Sequence, residues 1–280
     1  MVSFPGPSYD VSGTVVPMSI LRTLASEVDR LVLAVNQASA PTSRDAVHRI
    51  ADELGLSGPA LFKHFSEWLL TIGITESVAV ARLPYLGDGE VAARIAEWRR
   101  AGVVREEGGR LHAERGLRPL LEAIGEARAN AAERFWHGDH RLAEATVVVS
   151  AVIGGLDPAL VVAHDHARVP LPAHAGLALH QVLTTLRYAR AAAHVEAWSA
   201  AGLRREDVLA LSALWRGEPV ARGTTDRLEA LGLAHRGTIT DEGRHLRSQI
   251  EDDTDARNAP VFAHVDAGAL ADLLAGLRSD

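Results

Sequence analysis

One pattern occurs twice in this chain and limits its fold more than any other feature. In the first copy, Asp88-Gly-Glu-Val-Ala-Ala-Arg-Ile-Ala-Glu-Trp-Arg-Arg-Ala-Gly-Val-Val104 reads as a capped helix stopped by Gly102 and followed by a short strand. Glu107-Gly-Gly-Arg-Leu111 supplies a glycine turn and a second strand, and Glu114-Arg-Gly-Leu-Arg-Pro-Leu-Leu121 opens a long helix. In the second copy, Thr225-Asp-Arg-Leu-Glu-Ala-Leu-Gly-Leu-Ala234 ends in the same helix, glycine and apolar pair. His235-Arg-Gly-Thr-Ile-Thr240 is its turn and strand, and Asp241-Glu-Gly-Arg-His-Leu246 restarts a helix. Helix, glycine stop, strand, turn, strand, helix is the order of a winged helix. Two copies about 130 residues apart point to an internal duplication or two tandem modules.

The rest of the chain arranges itself around these copies. Residues 1–16, with Pro5, Gly6, Pro7 and Gly13 and no periodicity, read as an N-terminal arm. From Pro17 an amphipathic helix carries Ile20, Leu21, Leu24, Val28, Leu31 and Val35 at helical spacing. A second helix is expected from about Ser43 to Leu54, stopped by Gly55, and a third from Ser57 with Pro59 in its first turn. The expected division is a first helical and winged-helix-like module over 17–138, a helical connector over 139–202 and a second winged-helix-like module over 203–280. The connector is broken near Gly154-Gly155 and at Pro170 and Pro172. With 5% aromatic residues and abundant Ala and Leu, the fold class is mainly α, with short β-hairpin wings.

Composition removes several functions. The absence of cysteine excludes disulfides, thiolate metal centres and a Cys nucleophile. No basic residue precedes Arg22 and no apolar stretch follows the start, so the expectation is a cytoplasmic protein without a secretory signal. The longest apolar run, Ala145 to Leu156, is too short for a membrane span, which needs about 20 residues. No Gly-x-Ser-x-Gly elbow, dinucleotide fingerprint or phosphate loop is present, and no cofactor is expected. The net charge of −7 opposes strong binding to a phosphate backbone. Of the basic residues only Lys63 is Lys, and this Arg and Ala usage is expected of a GC-rich coding genome such as an actinobacterium's.

The stretch Leu186-Arg-Tyr-Ala-Arg-Ala-Ala-Ala-His-Val195, followed by Ala200-Ala-Gly-Leu203, Thr240-Asp-Glu-Gly-Arg244 and Ile250-Glu-Asp-Asp-Thr-Asp255, resembles the SalK family. The likeness is best over 170–262 and weaker over 50–104, where Leu54-Gly-Leu-Ser-Gly58, Phe65 and Trp98 fall in similar order. The resemblance implies an actinobacterial protein with helix-turn-helix character and a setting among natural-product genes. Arg187, Arg190 and His194 match the family's central motif, whereas Tyr188, Ala189, Ala191 and Ala192 stand where it has Glu, His, Gly and Asp. The second copy also runs from Trp215-Arg-Gly-Glu-Pro219 almost directly into the helix before Gly232, which predicts that the reading helix is missing there.

Seven of the 13 histidines lie between His137 and His194. At 100° per residue, His180, Thr184, Arg187, Ala191, His194 and Trp198 fall on one helical line, which either lines a pocket or faces water. His194 and His180 are the candidate proton-transfer groups, supported by His164 and Asp165. Arg187 and Arg190 are the candidates to grip an anionic group, with Trp198 and His166 beside the substrate. His137-Gly-Asp-His140 and His164-Asp-His166 match no specific metal signature, and no metal is assigned. The five tryptophans read mainly as packing residues.

Three functions compete. The first is a small-molecule enzyme or ligand-binding protein of specialised metabolism, with the His- and Arg-rich connector lining a pocket between the modules. Metal-free elimination or intramolecular ring closure on an anionic substrate suits that residue set. The second is a winged-helix DNA-binding regulator. Residues 88–136 carry nine Arg against nine acids and 217–260 six against nine, so a DNA partner is disfavoured unless a homodimer concentrates Arg94, Arg99, Arg100 and Arg105. The third is a non-catalytic partner of a biosynthetic protein.

Overall fold

The computed structural model of the chain describes residues 16–56, 59–87 and 89–277. Nearly all of the expected N-terminal arm, and the helix start expected at Asp88, lie outside the described residues.

The chain opens with one long helix, α1 (Met18–Leu54), followed by a 3-10 turn (Pro59–His64) and a short α2 (Ser66–Leu70). The first winged unit follows: α3 (Glu76–Arg82), α4 (Glu90–Arg100), β1 (Val104–Glu107), β2 (Arg110–Ala113) and α5 (Arg118–Phe135). Helices α6 (Leu142–Gly154) and α7 (Val161–His166) lead into α8 (Ala175–Ala200). The second unit is α9 (Arg205–Trp215), α10 (Arg222–Ala230), β3 (Ala234–His235), β4 (Thr238–Ile239) and α11 (Asp241–Asn258). A 3-10 turn (Ala259–Phe262) and α12 (Ala267–Gly276) complete the described chain. The fold is mainly α, with two antiparallel hairpins.

The two units repeat one another in detail. After α4, Gly102 sits at φ 67° and Val103 N–H returns to Trp98 O; after α10, Gly232 sits at φ 73° and Leu233 N–H returns to Leu228 O. These are the same glycine-capped helix end. Both hairpins turn on two residues with positive φ, Gly108-Gly109 in the first and Arg236-Gly237 in the second, the turn whose twist matches paired strands. In the first unit Ile74 exchanges both backbone hydrogen bonds with Leu111, adding a one-residue third strand.

Three sequence expectations are corrected. The helices expected on either side of residue 41 are one helix, α1, with Pro41 inside it. Its N-terminal half is buried through Leu24, Val28, Leu31 and Val35 and its C-terminal half through Val47 and Ile50, so packing on both sides of the proline holds the axis. Ser43 Oγ adds hydrogen bonds to Ser39 O and Ala40 O. The third expected helix is split into the 3-10 turn and α2, so that Phe62, Phe65 and Trp68 can all enter the first unit's core. No reading helix is missing from the second unit: the helix expected before Gly232 is α10, held by the buried Leu228, and it stands where α4 stands in the first unit.

Three apolar clusters hold the molecule. The first unit closes around Phe62, Phe65, Trp68, Ile95, Trp98 and Leu111. A helical bundle packs α1, α5, α6, α8 and α12 through residues such as Leu31, Trp136, Val149, Leu183 and Leu274. The second unit is built on Leu211, Leu228, Leu233 and Ile239. Helix α8 gives Tyr188 and Ala189 to the first cluster, Leu179 to Leu186 to the second, and Ala197 and Trp198 to the third.

Candidate anion-binding cavity

A cavity of about 390 Å³ lies where α1, the first 3-10 turn, α2, α3, α5 and α8 meet. Helix α1 contributes Asn36, Ser39, Ser43, Arg44 and Val47, which recur at helical spacing and share one face. The opposite wall is Thr184, Arg187, Tyr188 and His180 of α8. Lys63, His64, Glu67, Arg82 and Arg128 complete the lining. In a chain of net charge −7, five cations and one carboxylate face this space. Arg128 is paired with Glu67 at 2.9 Å and Arg187 with Asp29 at 2.6 Å. Among the described residues no carboxylate pairs with Arg44, Lys63 or Arg82. Arg82 lies with its guanidinium carbon 4.2 Å from the centre of the Tyr188 ring, and its buried Nε has no hydrogen-bond partner.

Of the three histidines that line the cavity, His48, His64 and His180, the last two differ from solvent histidines. Burial pushes the pKa of His180 down to about 3, and the charge of Arg128 adds to the effect. Burial likewise pushes His64 to about 3, with Arg82, Lys63 and Arg128 adding to it. Both rings are therefore neutral at pH 7. His180 is 2% exposed; its Nε2 donates to Asn36 Oδ1 at 3.2 Å, while its buried Nδ1 has no partner. Burial alone raises the Glu67 carboxyl, but the hydrogen bond from His166 and the charge of Arg128 outweigh it and hold the group well below the usual carboxylate range.

The candidates read from the sequence are dispersed. His180 and Arg187 line the cavity. Arg187 also lines a smaller cavity of about 180 Å³ with Arg190, His194, Asp29, Glu251 and Tyr85. His180 and His194 are separated by 14 positions of one helix, about 21 Å along its axis, so they serve different spaces. Arg190 is held by Asp255 at 3.0 Å and Glu251 at 2.9 Å, and His194 Nδ1 lies 3.1 Å from Thr254 Oγ1. His166 is fully buried between Glu67 (2.9 Å) and Thr185 (2.7 Å), where it supports the carboxylate from behind. Asp165 accepts from Trp68 Nε1 at 2.9 Å and Arg110 at 2.7 Å, not from an imidazole. His164 is exposed, and Trp198 belongs to the second unit's core. Asp139 pairs with Arg141, and His137 is exposed beside Glu133. Among the tryptophans, Trp68, Trp98, Trp136 and Trp198 are buried, whereas Trp215 is exposed under Arg247. Sequence reasoning missed Arg44, Lys63, His64, Glu67, Arg82 and Arg128; the signal within reach was the solitary Lys in Lys63-His64-Phe-Ser-Glu67.

The described geometry contains two helix pairs, α3–α4 and α9–α10, each followed by a hairpin, and residues 80–279 match the model of a helix-turn-helix family. The chain belongs to this helix-turn-helix family. The helix-turn-helix match begins inside α3 and takes in Arg82, Arg128, His180, Arg187 and Tyr188 of the cavity, but not the wall formed by α1 and α2. No protein of curated function and no solved structure matches the chain. No described helix is long and apolar enough to cross a membrane.

Proposed function

We propose that this helix-turn-helix protein binds a small anionic molecule in the cavity between α1, α5 and α8. The observation that carries the reading is the lining itself, with Arg44, Lys63 and Arg82 lacking carboxylate partners among the described residues. Arg44 and Lys63 are exposed and Arg82, Arg128 and Arg187 half-buried around a space with a single carboxylate, so their mutual repulsion is relieved when an anion joins them, and guanidinium groups suit paired hydrogen bonds to a carboxylate or phosphate. His180 and His64, both neutral at pH 7, add the groups that a proton transfer on the bound molecule needs, as in elimination or ring closure. The first module (17–138) and connector (139–202) hold the site in this reading, and the module 203–280 docks against it. The resemblance to SalK proteins extends the proposal to natural-product metabolism. Thermal unfolding with inorganic phosphate, pyrophosphate and citrate at constant ionic strength tests it. Saturation at 100 times Kd raises stability by about 2.7 kcal/mol, and Arg82→Met should remove most of that gain. No stabilisation by any of the three, or equal stabilisation of the variant, overturns the reading.

Family membership favours a second reading, a DNA-binding regulator. Three of its four cations are matched within the chain, Arg94 lying 3.1 Å from Glu97, Arg99 2.9 Å from Glu76 and 2.8 Å from Glu106, and Arg105 pairing with Glu107 and Glu114, whereas Arg100 is exposed with no ion pair among the described residues. Anisotropy of a labelled duplex against rising salt separates the two readings. Steeply salt-sensitive binding that flattens in the Arg99→Ala, Arg100→Ala double variant would establish the regulator.

A further inference from the structure

We propose that the ligand of this cavity is an extended polyanion, a linear oligophosphate that lies along α1 and is gripped at both ends. The inference rests on the anion-binding reading above and names the class of anion.

The shape of the site carries it. The α1 residues of the wall run from Leu33 to His48, and at 1.5 Å per residue they cover about 22 Å of helix. The wall is exposed at both ends of that line and buried between them. Leu33 at one end and Arg44 and His48 at the other are exposed, whereas Ser39 of α1 and Thr184 of the facing α8 are buried. Positive charge follows the same line. Arg187 is tied to Asp29 at 2.6 Å and so stands at the Leu33 end; Arg44 lies 15 positions beyond Asp29 on α1, about 22 Å along the axis. Lys63, on the 3-10 turn whose Phe62 shares a core with Val47, faces the space with Arg44. Arg82 and Arg128 add their charges from α3 and α5. A compact anion meets one end of this array, whereas a chain with a charge at every repeat meets both at once.

The kind of polyanion follows from what the wall lacks. Apart from the histidines, Tyr188 is the one aromatic side chain of the lining. It is 7% exposed, covered by Arg82 and stacked on Trp68, so it offers no open face to a base. Proteins hold single-stranded nucleic acid by stacking its bases on aromatic side chains, and this wall has no such platform. A volume of about 390 Å³ drawn out over that length leaves a slim passage, suited to a polyanion without side groups. An unbranched phosphate chain is such a polyanion, and guanidinium groups match its oxygens with paired hydrogen bonds.

Calorimetric titration of the full chain at fixed ionic strength compares inorganic tripolyphosphate with a polyphosphate long enough to span both ends. Engaging two sites through one ligand multiplies affinity by on the order of 10²–10⁴, so the longer chain should bind about 100-fold tighter, well beyond the roughly tenfold that extra registers on one end supply. Arg44→Gln and Leu33→Glu alter opposite ends at exposed positions, so both variants should fold as the wild type does. Each should weaken the longer chain by about tenfold or more and tripolyphosphate by less than about threefold, because the other end still holds the short ligand. A length effect under about tenfold, or one that both variants retain in full, overturns this inference alone. Single-stranded oligothymidine that binds as tightly as the longer phosphate chain also overturns it. Binding of neither phosphate overturns the anion-binding reading beneath it.

Discussion

Glu67→Gln removes one charge from the cavity wall while keeping the side chain's shape. Glu67 accepts from Arg128 Nη1 at 2.9 Å and from His166 Nε2 at 2.9 Å, both largely shielded from water. Charge-assisted hydrogen bonds contribute about 1.5–3 kcal/mol each, and the neutral amide retains about 1 kcal/mol of one of them. Arg128 keeps its bonds to Ser66 Oγ and Lys63 O, which limits the damage. The expected loss at pH 7 is therefore about 3 kcal/mol. Its pH dependence follows from the depressed carboxyl: the unfolded chain binds more protons than the native state once pH falls below about 4.3, so the wild-type advantage is complete above that value. Below it, the advantage shrinks by about 1.4 kcal/mol per pH unit. Urea unfolding of both proteins at pH 7.0 and pH 3.3 measures this, with a smaller difference expected at the lower pH. A difference under about 1 kcal/mol at pH 7, or the same difference at both values, refutes the assignment of Glu67 as a half-buried, ionised acceptor. Removing the only carboxylate of the lining should also tighten sulfate binding.

Other substitutions probe the fold and the cavity. Arg236 is the only non-glycine residue with positive φ among those described, at 49°, so Arg236→Gly should stabilise the second unit by about 1 kcal/mol in thermal unfolding. Gly243 packs so closely that a Cβ would come within 2.3 Å of Leu233 O, and Gly243→Ala should lower stability by 2 kcal/mol or more, on the order of other overpacked sites. Asp165→Asn leaves Arg110 and the Trp68 indole without their shared carboxylate, and a loss of about 2 kcal/mol is expected in urea, with a shift in Trp68 emission. His64 should show no titration between pH 5 and pH 8 by NMR, because burial and three cations hold it neutral.

The parts legible in the sequence are those governed by local chemistry. Gly102 and Gly232 announce helix ends because only glycine enters the left-handed region without cost, and the two-residue turns at Gly108 and Gly237 announce the hairpins that follow. The α8 stripe was legible because helical phase alone places His180 and Arg187 on one line. Where tertiary packing decides, the sequence was silent. Pro41 reads as a break, yet cores on both sides keep α1 continuous. Arg222-Gly-Thr-Thr-Asp226 has little helical preference, and α10 forms because Leu228 is buried. The cavity itself joins residues from Leu33 to Tyr188 on six elements, and no local spacing encodes such a meeting. His164 and His166 show the same limit: two positions apart on α7, one faces solvent and the other is sealed behind Glu67.

The most direct test of the account is crystallographic. Crystals soaked in selenate and measured at the selenium edge should show an anomalous peak inside the cavity, within hydrogen-bond reach of Arg82, Arg128 or Arg187. An empty cavity, with selenate confined to surface arginines such as Arg100 or Arg244, would contradict the proposal that this helix-turn-helix protein binds an anion in the cavity.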